Sequence, residues 1–318
     1  MSYAFSPNRD GVKLQARAAE GNTGLFARSY LMRANLFVIL AALFAATASA
    51  QSIPKAIYTD PPADAAHPAK MTVLHIPSHG VKINGLIYQP VGAGPHPTLV
   101  LFHGLPGNEK NLDVAQAVRR AGWNAVTFNY RGSWGSPGVF RFAGNFEDAD
   151  AVLAFLRAPE NAARLGIDTH RIVIAGHSMG GWVVVHTAAH DHGLYGVILF
   201  SAADMSRVAD EPRDRAEAMM ADDMESLAGV TPQSMVEEMR AIGKQYRFQD
   251  AVAGLTQTPL LVLTANDGLA PVDDALVRAI RAQGGNDVTE MHFDTDHSYS
   301  DHRIALESAI ITWLDKLH

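Results

Sequence analysis

The chain has 318 residues, 47% hydrophobic and 19% charged, with a formal charge of -7 and no cysteine. Such a length and apolar content suit one large α/β domain or two ordinary ones and exclude a disordered, collagenous or disulfide-stapled chain. An acidic balance without a long Lys/Arg run argues against nucleic acid as a partner, and the missing cysteines remove thiol nucleophiles, redox pairs and Cys-ligated zinc.

From the N-terminus, Met32-Arg33, the apolar run Leu36 to Ala46 and the small residues Ala48-Ser49-Ala50 read as an export signal cleaved before Gln51. On this reading translation starts at Met32, residues 1–31 lie upstream of the true start, and the mature protein is periplasmic or secreted. The apolar stretch is shorter than the about 20 residues that a spanning helix needs, so no stable membrane anchor is expected. A Pro/Ala/Asp-rich irregular arm, residues 51–70, leads into a domain over residues 71–318.

Residues 71–76 and 82–89 are expected to form a hairpin around Ser78-His79-Gly80. Short apolar runs then predict strands at 98–103, 124–130, 171–176, 195–201, 259–264 and 288–293. Helix-period segments fall at about 109–121, 147–157, 179–190, 272–283 and 302–317. Continuous apolar strands alternating with helices mean a doubly wound, mostly parallel sheet with ligands at the carboxyl ends of its strands.

The interval of about 203–250 breaks that rhythm and is predicted as a small helical cap insertion. It carries Met205, Met219, Met220, Met224, Met235 and Met239. The fourfold spacing of Met220/Met224 and of Met235/Met239 places each pair on one helix face, as a buried stripe or as an adaptable wall above a site. The acidic run Asp222-Asp223 with Glu225 reads as a solvated face.

Chemistry concentrates in Gly176-His177-Ser178-Met179-Gly180-Gly181, set between an apolar strand and a helical run. A sharp strand-to-helix turn needs small residues around a serine nucleophile and leaves the Met179 N–H free at a helix N-terminus, where it favours an oxyanion. A serine hydroxyl needs a base, and the base needs an orienting carboxylate. Asp267 and His297 follow in that order at the ends of two later strands, with His302 a less favoured alternative base. After the strand at 98–103, His103-Gly104-Leu105-Pro106-Gly107 makes a tight loop. The Leu105 N–H is the second oxyanion candidate, because Pro106 has no N–H to donate. Trp134, Phe140 and Met205 are candidates to line the substrate pocket, and Arg131 is expected to tie its loop to the sheet. His186 and His190 have the i, i+4 spacing of a metal pair but lack the intervening Glu, so no metal is expected.

With these motifs assembled, the chain resembles the α/β-hydrolase superfamily. The matching features are His103-Gly104, Asn129-Tyr130-Arg131-Gly132-Ser133-Trp134-Gly135-Ser136-Pro137-Gly138, the serine turn, and Asp267 with His297. Within it the chain is most similar to esterases and to members related to prolyl oligopeptidase and dienelactone hydrolase. It departs from the former in lacking room for a propeller domain and from the latter in having Ser178 where they have cysteine. The resemblance implies an eight-stranded sheet with an antiparallel second strand and a variable cap. It also implies hydrolysis of a small-molecule carboxylic ester, or alternatively an amide, without a cofactor. An acyltransferase using the same residues, or a non-catalytic binding module, is the competing class.

Overall fold

A computed structural model describes residues 53–317, so the expected export signal lies outside the described residues. In chain order the elements are β1 (Lys70–Ser78), β2 (Val81–Gln89), β3 (His96–Phe102), α1 (Leu112–Arg120) and β4 (Asn124–Phe128). Next come α2 (Phe142–Arg157), α3 (Pro159–Leu165), β5 (Ile167–His177), α4 (Met179–His190) and β6 (Gly196–Phe200). The chain continues through α5 (Arg213–Ala221), α6 (Pro232–Ile242), α7 (Phe248–Leu255), β7 (Leu260–Thr264), α8 (Ala270–Ala282), β8 (Val288–His292) and α9 (Arg303–Leu314).

The strands form one eight-stranded sheet in the order β1-β2-β4-β3-β5-β6-β7-β8. β2 runs antiparallel to both β1 and β4, and the remaining pairs are parallel. The inner strands β3, β4, β6 and β7 are buried on both faces because helices cover both, whereas β1 alternates and the edge strand β8 is largely exposed. On β3, Leu99 and Leu101 join a cluster with Val114 of α1 and Ile310 of α9, while Val100 and Phe102 face α2 and α4 on the other side. The irregular arm is fastened to the first of these layers, where Arg120 donates to the carbonyls of Ala56 and Ile57.

Several boundaries differ from the periodicity, for local reasons. α2 begins at Phe142 rather than near 147, since the side chain of Glu238 accepts from the Ala143 amide and satisfies an otherwise orphaned helix donor. α3 is absent from the pattern of apolar residues, being only seven residues long, with Pro159 at its first turn and a left-handed Gly166 as C-cap.

The interval 203–250 holds two 3-10 turns (Met205–Asp210 and Gly243–Gln245), α5, α6 and the first residues of α7. α5 ends at Ala221, so Met224 lies beyond the helix and does not share a helix face with Met220. On α6 the expected pair holds: Met235 and Met239 are fully buried. Met220, Met235 and Met239 belong to the same apolar cluster as Trp182 and Val183 of α4, so this segment is packed into the main core. Among the described residues, no helix is long and apolar enough to cross a membrane.

Candidate active site

Ser178 joins the end of β5 to the start of α4 with φ 56° and ψ -124°, a conformation that side chains rarely adopt. The turn is held from below: the Ser178 carbonyl accepts from the amides of Gly181 (2.9 Å) and Ala203 (3.0 Å), and its own amide donates to the Phe200 carbonyl. Glycine is required beside it, since a Cβ at Gly180 would stand 2.1 Å from the Phe102 carbonyl oxygen. The parallel register of β3, β5 and β6 therefore brings three backbone segments into contact under the serine.

The loop after β3 passes directly over this turn. A Cβ at Gly104 would lie 2.9 Å from Ser178 Cβ and 3.4 Å from its Oγ. Among the described residues, the amides of Leu105 and Met179 donate to no other protein group. Both thus remain available to an oxyanion. His103 is buried, with Nδ1 bonded to the Gly104 carbonyl (2.8 Å), and burial pushes its pKa down to about 4.

On the neighbouring strand ends, Asp267 and His297 meet. The His297 Nδ1–H donates to Asp267 Oδ2 at 2.7 Å, because a carboxylate can only accept, and Nε2 is thereby left free as a base. The Asp267 side chain is 5% exposed. Burial alone would raise its pKa, but hydrogen bonds from His297, the Leu269 amide and the Ser201 hydroxyl outweigh that and hold it below the ordinary value. Its charge is thus secured where imidazolium would form. His302 lies apart, bonded to Asp301 at the start of α9. The residue before Ser178 reaches this pair: the His177 ring is 4.6 Å from the His297 ring. Among the described residues, the Ser178 hydroxyl makes no hydrogen bond to His297.

The remaining expected residues divide. Trp134 is 37% exposed, and its indole N–H donates to the Pro106 carbonyl at 2.6 Å, with the Lys110 ammonium 4.3 Å over its ring. It borders the loop over Ser178. Phe140, in contrast, is a core residue, 1% exposed and packed edge-to-face on Phe142, so it plugs its loop instead of offering a wall to substrate. Met205 likewise is largely buried in the core cluster at the start of a 3-10 turn. Arg131 ties its loop down as expected, pairing with Asp148 at 2.7 Å and donating to the Gly144 carbonyl at 3.0 Å. His186 and His190 do not converge: His186 Nε2 meets the Tyr246 carbonyl, and His190 Nε2 meets Asp150.

Two features escape the linear pattern. Residues 226–228 form a short ribbon with the loop after β4. Trp134 N–H donates to the Ser226 carbonyl, Ala228 N–H to the Gly132 carbonyl and Phe140 N–H to the Ala228 carbonyl, at 2.8–3.0 Å. Asp223, just before this ribbon, is half-buried and not part of a solvated face. Burial raises its pKa to about 6, Asp222 and Glu225 add to the rise, and the charge of His297 opposes it.

Comparison with known proteins bears on the fold and the family. Over 127 residues the chain is 34% identical to the quorum-quenching protein AidA of Acinetobacter baumannii (strain MDR-ZJ06), covering 38% of this chain and 40% of that protein. The solved structure of the Pyrobaculum calidifontis esterase superposes with a TM-score of 0.55 at 21% identity, over 78% of this chain and 86% of that one. The acylaminoacyl peptidase of Pyrococcus horikoshii does so with a TM-score of 0.55 at 17% identity, over 78% of this chain and 41% of that one. At those identities the superpositions establish the fold alone. Residues 99–308, from β3 into α9, match the profile of the alpha/beta hydrolase family. By that match, and by the sheet order and strand-end loops described above, the chain is a member of the alpha/beta hydrolase family.

Proposed function

We propose that the protein hydrolyses carboxylic esters through an acyl-enzyme on Ser178. The 2.7 Å bond between His297 and Asp267, at the sheet rim that also carries the strained Ser178 turn, is the observation that supports this reading most directly. His297 Nε2 takes the hydroxyl proton as Ser178 attacks the acyl carbon. Asp267 keeps His297 in the useful tautomer and stabilises the imidazolium. The Leu105 and Met179 amides receive the oxyanion. His297 then protonates the departing alcohol and activates the water that releases the acid.

The test is a chain-length series of p-nitrophenyl esters run beside aminoacyl amides, on the natural protein and on Ser178→Ala. Ser178→Ala should lower kcat by about 10⁴ or more, and a Ser178→Ala/His297→Ala double variant should lose little further, because the three groups act as a unit. Additive losses, or failure of a fluorophosphonate to label Ser178, would overturn the assignment. Amide turnover equal to ester turnover would replace the ester with an amide as substrate.

A further inference from the structure

His177 carries no part of the chemistry just described, yet it touches both sides of it. It is the last residue of β5, 4% exposed, and covalently adjacent to Ser178. Its ring stacks on Phe200 (5.4 Å between centroids, 16° between planes) and lies against the His297 ring at 4.6 Å. Its Nε2 is 2.8 Å from the main-chain carbonyl oxygen of His297. A carbonyl only accepts, so the bond requires Nε2 to carry the proton.

The bond falls at the middle of the loop that carries His297. The loop follows β8, an edge strand. The Asp296 carboxylate accepts from the Ser298 and Ser300 amides and Arg303 donates to the Ser298 carbonyl, while the loop is tied to the end of β7 by the Asn266 amide on the Thr295 carbonyl (2.9 Å) and by the buried Tyr299 hydroxyl on the Leu263 carbonyl (3.0 Å). Between those two ties, His177 is the long-range partner of the His297 main chain. The His297 side chain itself is 37% exposed, so packing alone does not hold it.

We propose that His177 is the positioning residue of the catalytic base: its neutral ring clamps the His297 backbone to the residue next to Ser178, so that base and nucleophile share one registration. The inference rests on the reading of Ser178 and His297 given above. His177 does not compete as a base. Burial, chiefly, and the adjacent charge of His297 bring its pKa down to about 3, so it stays neutral, and its N–H is engaged by the carbonyl. A neutral ring also avoids placing a second positive charge beside the imidazolium. The stack on Phe200 fixes the plane of the ring, and that plane aims the N–H.

Two variants separate the donor from the packing. His177→Phe keeps an aromatic stack and removes the N–H, while His177→Gln offers an amide N–H at the place of Nε2. On p-nitrophenyl acetate, His177→Phe should lower kcat by about tenfold to a hundredfold with KM changed by less than about threefold, as expected when a reacting group is displaced by about 1 Å. His177→Gln should recover to within about threefold of the natural protein. Equal activity of His177→Phe and the natural protein, or failure of His177→Gln to rescue while both variants melt normally, would overturn the proposal. Amide hydrogen exchange over residues 294–300 gives a reading independent of turnover. Exchange should rise in His177→Phe and return in His177→Gln; unchanged exchange in His177→Phe would also overturn it. If the natural protein shows no Ser178-dependent turnover, the proposed hydrolysis fails, and the exchange result still decides whether His177 clamps the loop.

Discussion

Ser178 holds φ 56° because the atoms around it permit no relaxed alternative: the Gly104 backbone is against its side chain and the Gly181 and Ala203 amides grip its carbonyl. A methyl at Gly104 meets Ser178 Cβ, whose position the backbone fixes, so that it cannot swing aside. Gly104→Ala should therefore displace the loop that offers the Leu105 amide, lowering kcat about a hundredfold with a smaller change in KM, measured on a short p-nitrophenyl ester. Asp223 permits a second prediction. Its pKa is raised to about 6 from an ordinary 3.8, so the folded state binds more protons than the unfolded state between those values. By linkage this carboxyl adds stability as pH falls through 6 and costs stability above it. Asp223→Asn should be more stable than the natural protein at pH 8 by about 1 kcal/mol, a figure reduced from the full shift because solvent reaches a half-buried group. The advantage should shrink at pH 5, and urea unfolding at the two pH values checks both. The reading of the acidic run as a solvated face holds for the exposed Asp222 and Glu225 and fails for Asp223, because charge sequence is silent on which of three nearby carboxyls a fold turns inward.

At the scale of elements, consecutive apolar residues located the inner strands, since a strand covered on both faces must be apolar at consecutive positions, while β1 and β2 were located as a hairpin around their turn. The serine turn was equally legible: its residue types are dictated by a local backbone path. The cap was legible only in outline. α6 forms because Thr231 and Ser234 exchange reciprocal side-chain to backbone bonds ahead of Pro232, and because Met235 and Met239 fall on one buried face. Thr231→Ala should cost about 1 kcal/mol of stability. Met239→Ala, at a fully buried position, should cost about 2–5 kcal/mol by chemical unfolding. Losses of that size would confirm that the cap is part of the core and not a detachable lid. Phe140 illustrates the same limit in reverse: an aromatic residue in a strand-end loop reads as a pocket wall, and only its contact with Phe142 reveals a plug.

For the whole molecule, the buried histidines form the bond between layers that pH can test. His186 on α4 donates to the Tyr246 carbonyl at 2.9 Å, joining the sheet-covering helix to the segment after α6. Burial lowers its pKa to about 4, so below pH 6.5 the unfolded state binds a proton that the folded state refuses, and its contribution to stability is lost as pH falls. His103 and His177 act in the same direction, whereas the raised carboxyls of Asp148, Asp223 and Asp273 act in the opposite one. A variant isolates one such group. His186→Gln keeps a donor to Tyr246 without the titration, and its stability relative to the natural protein should rise by about 2 kcal/mol between pH 7.5 and pH 5.

By itself the sequence determined the alternation of strands and helices, the serine turn and the chain order of Ser178, Asp267 and His297. Each is written in neighbouring residues, through side-chain period, glycine placement or strand-end loops. Tertiary structure alone decided that His177 reaches the His297 carbonyl, that residues 226–228 pair with the loop after β4, and that Asp223 is half-buried while Asp222 and Glu225 stay exposed. Those contacts join segments tens to more than a hundred residues apart, and the distance between them is set by how helices and sheet stack, a quantity that no local pattern encodes.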